Sequence, residues 1–269
     1  MLNKILLIIF SFLSFVSISF AQPDQSFIRF IDKFAQNPFL LEGSEEYYVS
    51  ELSKAELNIL RNTIFARHGY IFKKREIETF FMARSWYKPI SKTIKLTEID
   101  QKNLNFIMML ENPEKIRFAD FLKLFHHAKL PIIINTEKYG EDYSKRIPIY
   151  YVKKYFDMCC PDIQAIDQIY SNAQFVAVLY GVHWAGVQLG VRTYGLDGKM
   201  ISTERIAVYA GDLSSVVTSI VKIDDQLNIE TEIQENQSHE DNLENATQIP
   251  GNITTIKYLI TQNGQIIKR

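Results

Sequence analysis

Cysteine is nearly absent: Cys159 and Cys160 are the only two in 269 residues. That excludes a disulfide framework and a four-thiolate zinc site. Charge of one sign is lacking too, with 30 Lys and Arg against 31 Asp and Glu. A globally basic nucleic-acid binder and a disordered acidic tail protein are therefore both excluded. After the first segment, no apolar run reaches the length of a transmembrane helix. No Gly-x-Ser-x-Gly elbow, phosphate loop or dinucleotide fingerprint occurs. Histidine is scarce, and His126-His127 is the only adjacent pair. On a helix such neighbours point about 100° apart and cannot chelate one ion as a pair spaced by four would. No metal site and no cofactor is expected.

The chain does have an N-terminal segment with the pattern of an export signal. Lys4 precedes an apolar run from Ile5 to Val16, and Ser19-Phe20-Ala21 forms a small-residue exit. Residues 1–21 are read as a signal peptide, residues 22–46 as a linker, and the mature chain as exported, periplasmic or extracellular. The adjacent cysteines lie about 3.8 Å apart at Cα, closer than the about 4.4–6.8 Å of ordinary disulfides. A bridge between them would be strained. The preferred reading is two small apolar side chains ahead of Pro161, over a redox switch.

The pattern changes near Asn112-Pro113. Before it, apolar residues recur at helical spacing; after about Gln174 they alternate at strand spacing. Ser53 to Glu56 reads as a capping box opening a helix with Leu57, Leu60, Ile64 and Phe65 on one stripe. Gly69 follows as a terminator. A second helix is expected over Arg75–Ala83. Thr97 to Asp100 is a second capping box, for a third helix burying Ile99, Phe106, Ile107 and Leu110. Asn112-Pro113 opens a fourth helix, with Phe118, Phe121, Leu122 and Phe125 on its stripe. Ile132–Ile134 and Ile149–Val152 read as short strands. Strands are also expected over Phe175–Val182, Val187–Tyr194, Ile201–Tyr209, Val216–Ile223, Leu227–Ile233, Ile253–Ile260 and Gln265–Lys268, with turns at Asp197-Gly198, Asp224-Asp225 and Asn263-Gly264. Residues 234–251 read as a polar, acidic loop. The expected fold is α+β: a small all-helical domain over 47–112, then a mostly antiparallel β domain over 113–269 with a leading helix, closed as a sandwich or an open barrel.

The most distinctive run is Leu60 to Phe72, with Phe65-Ala66-Arg67-His68-Gly69 at its centre. It resembles the YARHG domain, a module of exported bacterial proteins, with Phe65 in place of the tyrosine. The agreement continues through Ser53–Glu56, Phe80-Phe81, Ser85 to Pro89, Ile99-Asp100 and Asn103 to Ile107, covering about residues 47–111. The resemblance implies an extracytoplasmic protein and suggests cell-wall binding.

Arg61, Phe65 and His68 are spaced by four and three, so they share one helix face beside the apolar stripe. In one reading they are internal braces: Arg61 pairs with Asp100 or Glu111, and His68 binds the last carbonyls of its own helix. In the other, Arg61, Arg67, His68, Tyr70 and Trp86 form a polar–aromatic pocket for an anionic ligand, Arg supplying a fork and Trp a flat face. Ser53 to Pro89 carries eight basic and three acidic residues, and Asp225 to Ile249 seven acidic and no basic ones. The basic stretch suits peptidoglycan or another anionic envelope polymer, and equally this chain's own acidic loop; an envelope protein is the other partner class expected. The expected function is a non-enzymatic binding protein of the cell envelope, with no nucleic-acid partner and no catalytic residue assigned. The alternatives are an envelope hydrolase using Arg67 and His68 beside an unidentified carboxylate, which predicts convergence in a pocket, and a structural or assembly protein. In the β domain, Tyr180, Trp184, Tyr194 and Tyr209 are read as an aromatic core or as one ligand-holding face.

Overall fold

The computed structural model describes residues 24–138, 144–157, 162–183, 186–211, 215–238, 248–249 and 251–269. The expected signal peptide, the Cys159-Cys160 pair and Trp184 lie outside these residues. No helix among the described residues is long and apolar enough to cross a membrane. The architecture is α+β, helices through residue 122 and a mostly antiparallel sheet from 126 to 268. The described residues form two compact units, 24–39 with 62–94, and 40–61 with those of 95–269.

The first unit contains α1 (Gln25–Gln36), the end of α3 (Lys54–Ala66) and α4 (Arg75–Met82). Helix α1 corrects the linker expected over 22–46. Phe27, Ile31 and Phe34 recur at spacings of four and three and are fully buried, so the segment has a core face of its own. With Ile64, Phe72, Phe81 and Tyr87 they make the core of this unit. Phe34 and Phe39 meet edge to face at 5.3 Å, and Phe72 and Phe81 stack at 5.2 Å.

The second unit holds α2 (Ser44–Ser50), the first turns of α3, and α5 (Glu98–Glu111). Both expected capping boxes form. Glu56 Oε2 accepts from the Ser53 amide at 2.9 Å, and Ser53 Oγ from the Glu56 amide at 3.3 Å. The Thr97–Asp100 box is reciprocal in the same way, at 2.8 and 3.2 Å. The buried face of α5 is Asp100, Asn103 and Ile107, while Ile99 is exposed, a correction to the expected apolar stripe. Two of these three positions are polar because they satisfy backbone: Asn103 Oδ1 takes the Leu41 amide at 2.9 Å.

The expected fourth helix breaks in two, a single turn at Pro113–Lys115 and α6 (Phe118–Leu122). His126-His127 corrects another expectation, since it forms β1, an exposed strand lying parallel to β4 (Asp162–Ser171). Ile149–Val152, read as a strand, is helical: α7 (Ile149–Tyr151) continues as a wider, π-type turn over Val152–Phe156. Ile149, Val152, Tyr155 and Phe156 share the buried side, a helical spacing that four residues alone were too few to reveal.

The remaining strands are β2 (Ile132–Asn135), β3 (Lys145–Arg146), β5 (Phe175–His183), β6 (Val187–Gly195), β7 (Met200–Gly211), β8 (Ser215–Ile223), β9 (Asn228–Ser238), β10 (Gln248–Ile249), β11 (Ile253–Ile260) and β12 (Ile266–Lys268). All join one sheet in the order β1-β4-β5-β6-β7-β8-β9-β11-β12, with β3 added to β4, β2 to β8 and β10 to β9. The expected acidic loop is partly strand, because β9 runs on to Ser238 and pairs with β8 and β10. The sheet is not closed.

Two cores sandwich β5. Phe175, Ala177 and Leu179 face a cluster shared with Val191, Ile206, Val221, Ile229 and Tyr258, so the later strands cover this side. Val176, Val178 and Tyr180 face a second cluster with Phe121, Phe125, Tyr155, Phe156 and Tyr194 beneath α6 and α7. Tyr180 and Tyr194 are therefore core residues. Gly190, paired with Tyr180 across β5 and β6, makes room for that ring: a Cβ there would lie 2.4 Å from it.

Two predictions follow from this packing. Phe121→Ala should lower unfolding stability by about 3–5 kcal/mol, because six aromatic rings, those of Phe118, Phe125, Tyr151, Tyr155, Phe156 and Tyr194, would line the void. Ile133→Ser, at a side chain 71 % exposed, should change it by about 0.5 kcal/mol or less. Urea denaturation distinguishes the two. The second concerns alkali. Burial pushes the Tyr150 and Tyr155 phenols up to about 12. An unfolded phenol ionises near about pH 10, so between about pH 10 and 12 the folded chain holds more protons and stability falls as pH rises. Urea midpoints that decline across this interval, with late-appearing tyrosinate absorbance, are the expected result; flat midpoints would contradict it.

Candidate functional site

The end of α3 explains the Phe-Ala-Arg-His-Gly run as a helix terminator. Gly69 has φ +74°, and its amide donates to the Ala66 carbonyl at 2.8 Å. The Tyr70 amide reaches back to the Phe65 carbonyl at 3.2 Å. This is the Schellman pattern, completed by the contact of the Phe65 and Tyr70 rings at 6.0 Å. That contact needs a ring at position 65 and no hydroxyl, so Phe serves where the pentapeptide has Tyr. Glycine is required twice over at 69, for its φ and because a Cβ would lie 2.7 Å from the Lys88 carbonyl oxygen. The Gly69 carbonyl in turn accepts the Ile90 and Ser91 amides at 2.7 and 3.1 Å.

The candidate residues then take separate duties. Arg67 lies over the Phe34 ring at 5.5 Å and donates Nη1 to the Phe34 carbonyl at 3.3 Å, which clamps the C-terminal half of α1. The carbonyl of Tyr70 accepts from the Tyr87 hydroxyl at 2.7 Å, and burial raises the pKa of that phenol. His68 is half-buried at the helix end. Trp86 is also half-buried, its indole N–H held by Asp32 Oδ1 at 2.7 Å. Arg61 is grouped with the other unit, where its Nε meets Glu111 Oε2 at 2.7 Å and its Nη2 donates to Asn58 at 2.7 Å. Of the two expected partners, Glu111 is the one seen; Asp100 is taken up by its capping box.

Trp86 lines an open cleft of about 530 Å³ between α1 and the end of α4, and Arg61, Arg67, His68 and Tyr70 are not among the residues of its wall. Ser85 lines it as well, and the remaining polar groups there, Asp32, Arg84, Gln25 and Gln36, are ones the sequence reading did not name as candidates. Arg84 is nearly buried, its guanidinium 3.5 Å from the centroid of Phe80 and its Nη1 bonded to the Phe80 carbonyl. Its Nε stands 3.7 Å from Asp32 and has no hydrogen-bond partner. Burial pulls the Arg84 pKa down while the Asp32 charge opposes it. The signal for Asp32 was invisible without α1, which the pattern assigned to a linker.

The family model of the YARHG domain matches residues 40–112, so the chain carries that domain. The match begins at Leu40, before the stretch on which the resemblance rested, and takes in buried Leu41 and Glu46. It includes residues 62–94 of the first unit and 40–61 and 95–112 of the second. No curated protein and no solved structure matches the chain.

The Arg61–Glu111 pair can be weighed by a double-mutant cycle. Its side chains are 32 % and 10 % exposed, so screening is partial. Arg61→Ala and Glu111→Ala, alone and together, should give a coupling of about 1 kcal/mol in urea unfolding. A coupling of zero would reduce the pair to a surface contact.

Proposed function

We propose that this is an exported envelope protein that binds cell-wall material without catalysis, through the cleft beside Trp86. The match to a domain of exported proteins supports export. The observation that carries the binding reading is the orientation of Trp86 at the cleft: Asp32 locks the indole, so its flat face is held beside a carboxylate, a guanidinium and two amides. Sugars are recognised by this combination, an aromatic face for the ring and planar polar groups for hydroxyls and carboxylates. Arg67 acts in this reading as a positioning residue, since it holds α1 at Phe34. His68 and Tyr70 shape the helix end, and Arg61 braces α3 to α5 through Glu111. Peptidoglycan is the favoured ligand because it offers sugar rings and peptide carboxylates together.

The test is co-sedimentation of the purified chain with insoluble peptidoglycan, with folding of each variant checked by near-ultraviolet circular dichroism. Wild type should pellet. Trp86→Ala and Arg84→Gln should each weaken pelleting by about tenfold while Arg61→Ala leaves it unchanged. No pelleting of wild type, or full pelleting of a folded Trp86→Ala variant, would refute the reading.

A further inference from the structure

Among the described residues of the second unit, one cation is buried with no anion paired to it. Arg192 on β6 is 5 % exposed. Its Nη1 donates to the Tyr155 carbonyl at 3.0 Å and its Nε to Thr203 Oγ1 at 3.2 Å. Its guanidinium lies 4.5 Å from the centroid of Phe156 and 5.7 Å from that of Tyr180. The Tyr194 hydroxyl, on the next residue but one, donates to the same Tyr155 carbonyl at 3.0 Å. All of these partners are neutral, and among the described residues no carboxylate pairs with Arg192. A buried charge is ordinarily matched by a counter-charge.

Arg192 also lines a cleft of about 490 Å³ formed by α6, the wide turn after α7 and the β6–β7 hairpin. Two more cations line it, Lys154 and Lys199. Lys154 is held by neutral groups as well, donating to the carbonyls of Pro113 at 2.8 Å and Ile116 at 2.6 Å. Lys199 is at the rim, its side chain 88 % exposed and 3.3 Å from Asp197. Asp157 is the other carboxylate of the lining, and it is held at φ +48°, a backbone conformation that non-glycine residues rarely adopt. Three cations against two carboxylates leave the cleft with one excess positive charge. Phe118 and Met200 add an apolar flank.

We propose that this cleft binds an oxyanion, the carboxylate or phosphate group of a ligand with an apolar portion, with Arg192 as the recognising fork. Rings on two sides and the Tyr155 carbonyl fix the guanidinium before a ligand arrives, so little side-chain freedom is lost on binding. A planar guanidinium matches the two oxygens of such a group, and Lys154 and Lys199 supply charge at its edges. The wide turn serves this geometry, because it ends the helix with the Tyr155 carbonyl directed at both Arg192 and Tyr194. The site is separate from the Trp86 cleft and does not depend on it.

The experiment is a titration of the isotope-labelled full chain with sodium phosphate and with sodium acetate, at ionic strength held constant with chloride. Saturable shifts of the Arg192 Nε–H and Gly198 amide signals with one of these anions, absent in chloride alone, are expected. Whichever anion binds more tightly tells a phosphate-bearing ligand from a carboxylate-bearing one. Lys199→Glu, at an exposed position that leaves the core untouched, should weaken binding by about three- to tenfold. Arg192→Lys keeps the charge, loses the fork and should abolish the saturable response where the variant folds. Absence of saturable shifts in wild type would overturn the proposal, and so would saturation that Lys199→Glu leaves unchanged.

Discussion

The second unit is organised by the need to cover β5 on both faces. Phe175, Ala177 and Leu179 point one way, and Val176, Val178 and Tyr180 the other, and all are buried. No antiparallel meander alone can satisfy such a strand, because a single sheet leaves one side to water. The chain meets the need twice. Its later strands turn back over one side, with Ser219 bonded to the Val208 backbone and Thr193 Oγ1 to the Gly264 carbonyl at 2.6 Å. Helices α6 and α7 close the other side with a mass of aromatic rings. Shifts of register between β6 and β7, at Leu189/Gly190 and Thr193/Tyr194, supply the bends that the turning requires.

The helical cover is fastened by one buried carboxylate. Glu46 of α2 is 5 % exposed, takes the Ile149 amide at 2.9 Å on Oε1 and the Arg146 guanidinium on Oε2. Ile149 is the first residue of α7, so Glu46 satisfies an orphan amide at a helix start and neutralises a cation together. Asp162 takes the other side of Arg146 at 3.1 Å, which carries the chain of bonds to β4. Residues that the family model covers thus anchor the segment that roofs the sheet. The same roof places Tyr155, and with it Arg192, at the edge of a cleft.

Local chemistry was legible wherever it was complete within a few residues. Both capping boxes, the terminating role of Gly69 and the turns at Gly198 and Gly264, which have φ of +81° and +83°, stand where the residues place them. The alternation of β5 through β8 is legible for the same reason, since period two needs only a short window. The misreadings share a cause as well. Ile149–Val152 is apolar and β-branched in part, and only Tyr155 and Phe156 beyond it reveal the helical side. Polar α1 residues hid a core face of three positions. Trp86 was named as a candidate and Glu111 as one of two partners for Arg61, while Asp32 and Arg84 were not named as candidates. They carry no local motif, and their meeting depends on packing between segments more than fifty residues apart.

The sequence by itself determined the two capping boxes, the stop at Gly69, the strand periodicity, the α+β class and the presence of the YARHG module, because caps, glycine conformations and periods are decided by neighbours along the chain. Tertiary structure decided which polar side chains are braces and which face open space. Arg61 and Arg67 have the same chemistry as Arg84 and Arg192, and nothing nearby in sequence separates them. Arg61 meets a carboxylate and Arg67 a carbonyl and a ring, whereas Arg84, half-buried, and Arg192, buried, stand at the walls of clefts. That distinction arises from long-range contacts, since burial and counter-charge belong to the folded surroundings and to no residue alone.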